Sequence, residues 1–202
     1  MRFCFVTHGY WPNPGGTEVF IQSMAEEAVL RGHEVYVLTH NRDKEQEVIN
    51  GVNVVTNPVI LLKERFSLVI VHSTDGPPQC YTLLNAPVIP SPILYQIIFP
   101  QVWTGLSEQA MAYVSYLGCS TADDWNFITS RGYRNKGRYI RHSVSLDLSI
   151  SKQATNAFKQ KYGITTKWMF LSCGGFWKHK RMKELAAAFQ EALADAEAEN
   201  EA

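Results

Sequence analysis

The 202-residue chain has no excess charge of either sign: 19 Lys and Arg stand against 19 Asp and Glu. That balance gives no bulk attraction to nucleic acid or to an anionic membrane, while a local basic patch or a peripheral membrane contact stays compatible with it. Cysteine is sparse. Cys4, Cys80, Cys119 and Cys173 make no Cys-x-x-Cys pair and no zinc-type spacing, and two of them fall inside apolar, strand-like runs. They read as buried, reduced thiols, as in a cytoplasmic protein, and no metal site is expected. No apolar run reaches the length of a membrane span, and the first residues lack a basic segment leading into a signal-type core. A Gly-x-Gly-x-x-Gly fingerprint is also missing, and the second strand-like run ends in Leu38-Thr39-His40 without the carboxylate that would hold a ribose. Both absences argue against a dinucleotide-dependent oxidoreductase.

What is present is a strand, a glycine pair and a helix. Gly15-Gly16 lies between the apolar run Phe3–Thr7 and the amphipathic segment Val19–Leu30. A strand that feeds a glycine turn and then a helix leaves free backbone N–H groups at the helix start, where the dipole favours negative charge. The two glycines would permit positive φ and close approach of a ligand; the plainer reading is that they only turn the chain. Ile21, Met24, Ala25 and Ala28 share one helical face, Arg31-Gly32 marks the stop, and Glu34–Thr39 is a second buried strand. The first forty residues therefore read β-loop-α-β, the start of a parallel, doubly wound sheet.

Further along, polar Asn41–Asn50 reads as a surface loop or a short connecting element and Val52–Val55 as a short strand. Ser67–His72 is a continuous apolar run suited to a central parallel strand, and Ile93–Ile98 is the next. Ser107–Tyr116 and Ala122–Arg131 read as helices around a strand at Leu117–Ser120, with Gly132 as a stop and Gly137–His142 as one more strand. Phe3–Thr7, Glu34–Thr39, Ser67–His72 and Ile93–Ile98 are expected in one parallel sheet, with Gly15-Gly16 and His72 on the same edge. Ser151–Tyr162 is an amphipathic helix closed by Gly163. Trp168–Cys173 begins a new strand, followed by Gly174–Arg181 and a helix from Met182 to about Ala194. The organisation expected is an α/β, Rossmann-like domain over 1–146, a linker over 147–167 and an incomplete second domain over 168–202, cut off after one strand-loop-helix unit. That unit would expose apolar surface, so docking on the first domain, pairing in a homodimer or mobility are the alternatives for it.

The run Pro12-Asn13-Pro14-Gly15-Gly16-Thr17-Glu18, followed by Arg31-Gly32-His33-Glu34-Val35, resembles the N-terminal signature of GT-B glycosyltransferases, family 4 of the retaining enzymes. Cys119-Ser120-Thr121 with Phe127–Tyr133 resembles the last strand and helix of that family's N-terminal domain. Tyr139–Asp147 resembles the crossover into its second domain, with His142-Ser143 where an Asn-Gly pair is usual. The resemblance implies transfer of a sugar, with retention, from a nucleotide-sugar donor to a glycan, lipid or small-molecule acceptor, with no metal or other cofactor. It also implies a cytoplasmic location, with the inner face of a membrane as the alternative.

The resemblance places Gly15 and Gly16 at an acceptor and diphosphate loop and Gly174, Gly175 and Lys180 at the donor phosphate; Glu18 and His72, from their own positions, are read as further residues of the first site and Arg181 of the second. Each has a plainer reading: Glu18 as a stabiliser of the first helical turn, His72 as a histidine satisfied by loop backbone, Lys178–Arg181 as a solvated basic turn. Three departures stand out. Gly175 occupies the place of a phosphate-binding Arg, Arg181 stands where the family often has Gly, and Gln96–Pro100 holds no histidine where the family's cleft histidine usually follows the strand. The nucleotide pocket and the paired glutamates of the second domain are not found either, so the chain alone is expected to be inactive. A noncatalytic sugar or nucleotide-sugar binding module, or a degenerate subunit, is the alternative.

Overall fold

The computed structural model describes residues 1–12, 15–40, 42–72, 88–96, 108–141, 151–166 and 181–200. The chain divides into two compact units, Met1–Leu146 and Asp147–Ala202. In the first, eight strands form one sheet: β1 (Arg2–Val6), β2 (Glu34–Leu38), β3 (Gln46–Ile49), β4 (Val52–Val55), β5 (Leu68–Val71), β6 (Ile93–Gln96), β7 (Tyr116–Cys119) and β8 (Gly137–Tyr139). Their spatial order is β3-β4-β2-β1-β5-β6-β7-β8, and every neighbouring pair is parallel except β3 with β4. From β1 the chain winds outward through β2 to β4, then returns to the other side of β1 at β5 and winds outward again. That is a doubly wound, Rossmann-like α/β sheet. The four strands expected to pair in parallel do so, with Ile97 and Ile98 outside the described residues.

The central strand is apolar from Phe3 to Val6 because it is packed on both faces. Cys4 and Val6 point into one core, which also holds Leu38, Val69, Val71, Tyr95 and Leu117. Phe5 points into the other, with Val35, Val37, Val52 and Val54. Helix α1 (Gly16–Leu30) covers the second core with Phe20, Ile21 and Ala25. Helices α2 (Ile60–Lys63), α3 (Glu108–Tyr113) and α4 (Ala122–Ser130) contribute Leu61, Met111 and Ile128 to the first. Each fully buried aliphatic side chain of this kind contributes roughly 1.5–3 kcal/mol. Met24, expected on the inner face of α1, is 38% exposed; the buried stripe runs through Phe20 and Ala25 and leaves Met24 at its margin.

The segment Asn41–Asn50 is not wholly a loop. Gln46–Ile49 is an edge strand, antiparallel to β4, and Asn50-Gly51 forms its turn with φ of 50° and 81°. Positive φ at both central residues is the requirement of a two-residue hairpin turn, which Asn-Gly meets at little cost. The dipeptide was the available signal, and the polarity of the segment obscured it.

The glycines read as helix stops behave as such. Gly32, Gly132 and Gly163 all have positive φ, and after each helix the chain closes with paired bonds, such as Gly32 N–H to Val29 O at 2.9 Å and His33 N–H to Ala28 O at 3.0 Å. Helix α3 ends differently. The Lys136 ammonium donates to the carbonyls of Met111, Ala112 and Val114 at 3.0, 2.6 and 3.0 Å, and burial lowers its pKa.

In the second unit, α5 (Lys152–Lys161) begins at Ser151, whose Oγ accepts from the Ala154 N–H at 3.0 Å. Helix α6 (Met182–Asn200) runs six residues past the expected end near Ala194, since its Ala and Glu residues favour helix and no breaker intervenes. The expected strand Trp168–Cys173 and the loop residues Gly174–Lys180 lie outside the described residues.

Candidate functional site

In an open parallel sheet of this kind ligands bind where the winding direction reverses, beyond the carboxyl ends of the strands. Here that point lies between β1 and β5, paired through Val6 and Val71. The segment from Thr7 leads from β1 to the start of α1, and His72 follows β5.

Gly15 is the residue before α1, and its carbonyl accepts the first helical bond from the Val19 N–H at 3.0 Å. Its backbone is extended, at φ −157° and ψ 159°, so the positive φ that glycine permits is not used at this position. What glycine provides there is space, because a Cβ on Gly15 would run into the carboxylate of Glu18. At Gly16 a Cβ would meet nothing within 4 Å. Glu18, third residue of the helix, thus folds back over the helix start and places its negative charge at the positive end of the dipole.

His72 is held by its main chain, whose N–H donates to Val6 O at 3.0 Å. Its ring is only 3% exposed and lies against Phe20 of α1, centroids 4.8 Å apart and planes tilted by 36°. The structure therefore places His72 beneath the first turns of α1, through Phe20, with the ring packed inward. Gly15, Gly16, Glu18 and His72 do gather at one sheet edge. Gly174, Gly175 and Lys180 lie outside the described residues. Arg181, which precedes α6, has a φ of 50°, and its Nε stands 3.7 Å from the Glu184 carboxylate on an exposed surface.

Other side chains at this edge were not singled out by the sequence. Thr39, fully buried, donates through Oγ1 to His8 O at 2.7 Å. Beyond it the rings of His8 and His40 meet edge to face, centroids 4.6 Å apart; partial burial and the neighbouring His8 lower the His40 pKa. Tyr10 is fully buried in the α1 core, and its hydroxyl has no hydrogen-bond partner among the described residues. Burial raises its pKa, with Glu26 adding to the shift and Arg42 opposing it. At the end of β6, Gln96 is 3% exposed and donates through Nε2 to Ser120 Oγ at 2.7 Å. Asp124 caps the start of α4 in a capping box with Thr121, its carboxylate accepting from the Ser120 and Thr121 N–H groups at 2.9 and 2.8 Å. Cys119, buried and reduced beside this box, has its thiol pKa pushed up to about 11, by burial and then by Asp124. Position after a strand end was the clue to the histidine pair: Thr7-His8 and Thr39-His40 repeat the same pair at the same offset past β1 and β2.

No group of three or more His, Cys, Asp or Glu that could hold a metal is present among the described residues. No helix among them is long and apolar enough to cross a membrane. The chain matches no family model and no curated protein.

Proposed function

We propose that the chain is the acceptor-side portion of a GT-B glycosyltransferase of the retaining family 4 type, continued by the opening unit of its donor domain. The observation that carries this reading is the Gly15-Gly16 helix start at the reversal point between β1 and β5, joined to the sequence resemblance around it. The first-turn N–H groups of α1 and its dipole would meet the charge of a nucleotide-sugar diphosphate or of the acceptor. His72 would act through Phe20, setting the position of the helix start. In the full enzyme the leaving diphosphate would be stabilised by such dipoles and by cations around Lys180 and Arg181, so the work is positioning and electrostatics. The expected donor is a nucleotide sugar, the acceptor a glycan, lipid or small molecule, and no metal or nucleic acid enters the reaction.

The test is amide NMR of the chain titrated with pyrophosphate and with uridine, guanosine and adenosine diphosphate sugars. The amides of Gly16, Thr17 and Glu18 should shift in a saturable way. The chain alone should show no sugar transfer, because binding energy from base and ribose normally positions the reacting carbon. Saturable shifts elsewhere, or none at millimolar ligand, would overturn the assignment of this loop. Turnover well above spontaneous donor hydrolysis would refute the inactivity of the chain. A full-length protein that binds the donor tightly yet transfers nothing would instead favour the noncatalytic binding module.

A further inference from the structure

Beside the glycine loop, at the same carboxyl edge, two imidazoles are set side by side by the backbone beneath them. Val6 and Leu38 are register partners in β1 and β2, and His8 and His40 each stand two residues beyond. Three hydrogen bonds tie the intervening chain: Thr7 N–H to Leu38 O at 3.1 Å, Thr39 N–H to Val55 O at 3.0 Å, and Thr39 Oγ1 to His8 O at 2.7 Å. Both histidines are exposed, and their rings lie 4.6 Å apart at 71°. A metal held at ~2.1 Å by one nitrogen of each ring needs centroids about 4.5 Å apart at a right angle and about 5.2 Å apart at the tetrahedral angle. The pair stands close to the first separation before any metal arrives. The nearest fixed cation in sequence, Arg42, is matched by Glu47 at 3.3 Å.

We propose that His8 and His40 form a two-imidazole site for a borderline divalent transition metal of the copper, nickel or zinc class. Neutral imidazole suits these ions and not magnesium or calcium, which take oxygen ligands. Two protein ligands leave further coordination positions for water or for an oxygen of a bound molecule at the sheet edge. The proposal stands on this geometry alone and is independent of the glycosyltransferase reading.

The experiment uses the untagged chain, titrated with zinc and nickel, and with magnesium as the control. Imidazole resonances are followed by NMR and affinity by calorimetry. Zinc should shift, and nickel broaden, the ring signals of His8 and His40 together. The ring of His33, packed against Phe3 at 5.2 Å on the opposite edge, should stay unchanged, and magnesium should have no effect. His8→Gln and His40→Gln should each weaken zinc binding by at least about tenfold, a loss of ~1.4 kcal/mol or more, while His33→Gln leaves it unaltered. The proposal is overturned if zinc leaves both rings unperturbed, if it perturbs other histidines first, or if neither substitution weakens it. The ring signals are read on the unmodified chain, so a variant that fails to fold does not blur the result.

Discussion

Gly118 has no side chain because Gln96 occupies the place where one would stand: a Cβ there would lie 2.5 Å from Gln96 Oε1 and 3.1 Å from its Cδ. Gln96 cannot swing away freely, being 3% exposed and bonded to Ser120 Oγ at 2.7 Å. Gly118→Ala should therefore destabilise the fold by about 1–3 kcal/mol, the usual cost of overpacking a buried site. Denaturant unfolding measures it. The double variant Gly118→Ala/Gln96→Ala should recover part of the loss, since the clash needs both residues; strictly additive effects would show that the contact is not the cause.

Tyr10 is a buried phenol whose hydroxyl meets no partner among the described residues, and removing such a group is favourable where its ring keeps its packing. Tyr10→Phe should raise stability at neutral pH by roughly 1 kcal/mol. The pH dependence follows from the same burial, which raises the pKa above its ordinary 10.0. Above that value the unfolded chain loses a proton that the folded chain keeps, so stability is fully present below about pH 10 and falls as pH rises further. Melts from pH 8 to about 11 should show a steeper loss for the parent chain than for Tyr10→Phe.

Glu18 lays its carboxylate over Gly15 at the start of α1, on the spot where the proposed diphosphate would approach. Glu18→Gln should strengthen pyrophosphate binding several-fold and cost the helix about 0.3–1 kcal/mol of dipole stabilisation. Calorimetry beside thermal melts separates the two effects. Unchanged or weaker binding would mean that the anion, if bound, lies elsewhere.

Arg181 adopts a φ of 50°, a conformation costing an L-residue roughly 1–2 kcal/mol and glycine little. Its exposed pair with Glu184 at 3.7 Å returns only a small part of that. Arg181→Gly should slow hydrogen exchange of the first amides of α6, because the strain at the helix entry is relieved. Faster exchange would show that the side chain contributes more than the backbone costs.

Much of the fold was legible because its signals are local. Runs such as Phe3–Thr7 and Ser67–His72 are apolar without alternation, as strands buried on both faces must be. Gly32, Gly132 and Gly163 mark helix ends because each takes a φ that other residues avoid. The hairpin strand Gln46–Ile49 was missed because an edge strand needs little apolar surface, and there Asn50-Gly51 was the better guide. The placement of Gly15-Gly16 and His72 at one edge was legible from strand order alone. The inward packing of the His72 ring on Phe20 was not.

The sequence by itself determined which segments become strands and helices, where the helices stop, and that the glycine pair opens a helix at the end of the first strand. These depend on backbone conformation and on burial period, which are properties of neighbours along the chain. Only the tertiary structure decided that His8 and His40 stand together, that Thr39 holds the carbonyl of His8, and that Gln96 fills the space above Gly118. Each of these joins residues more than twenty positions apart, through strand register and side-chain direction. Register is set by the whole sheet closing its two cores at once, and no local stretch of sequence encodes it.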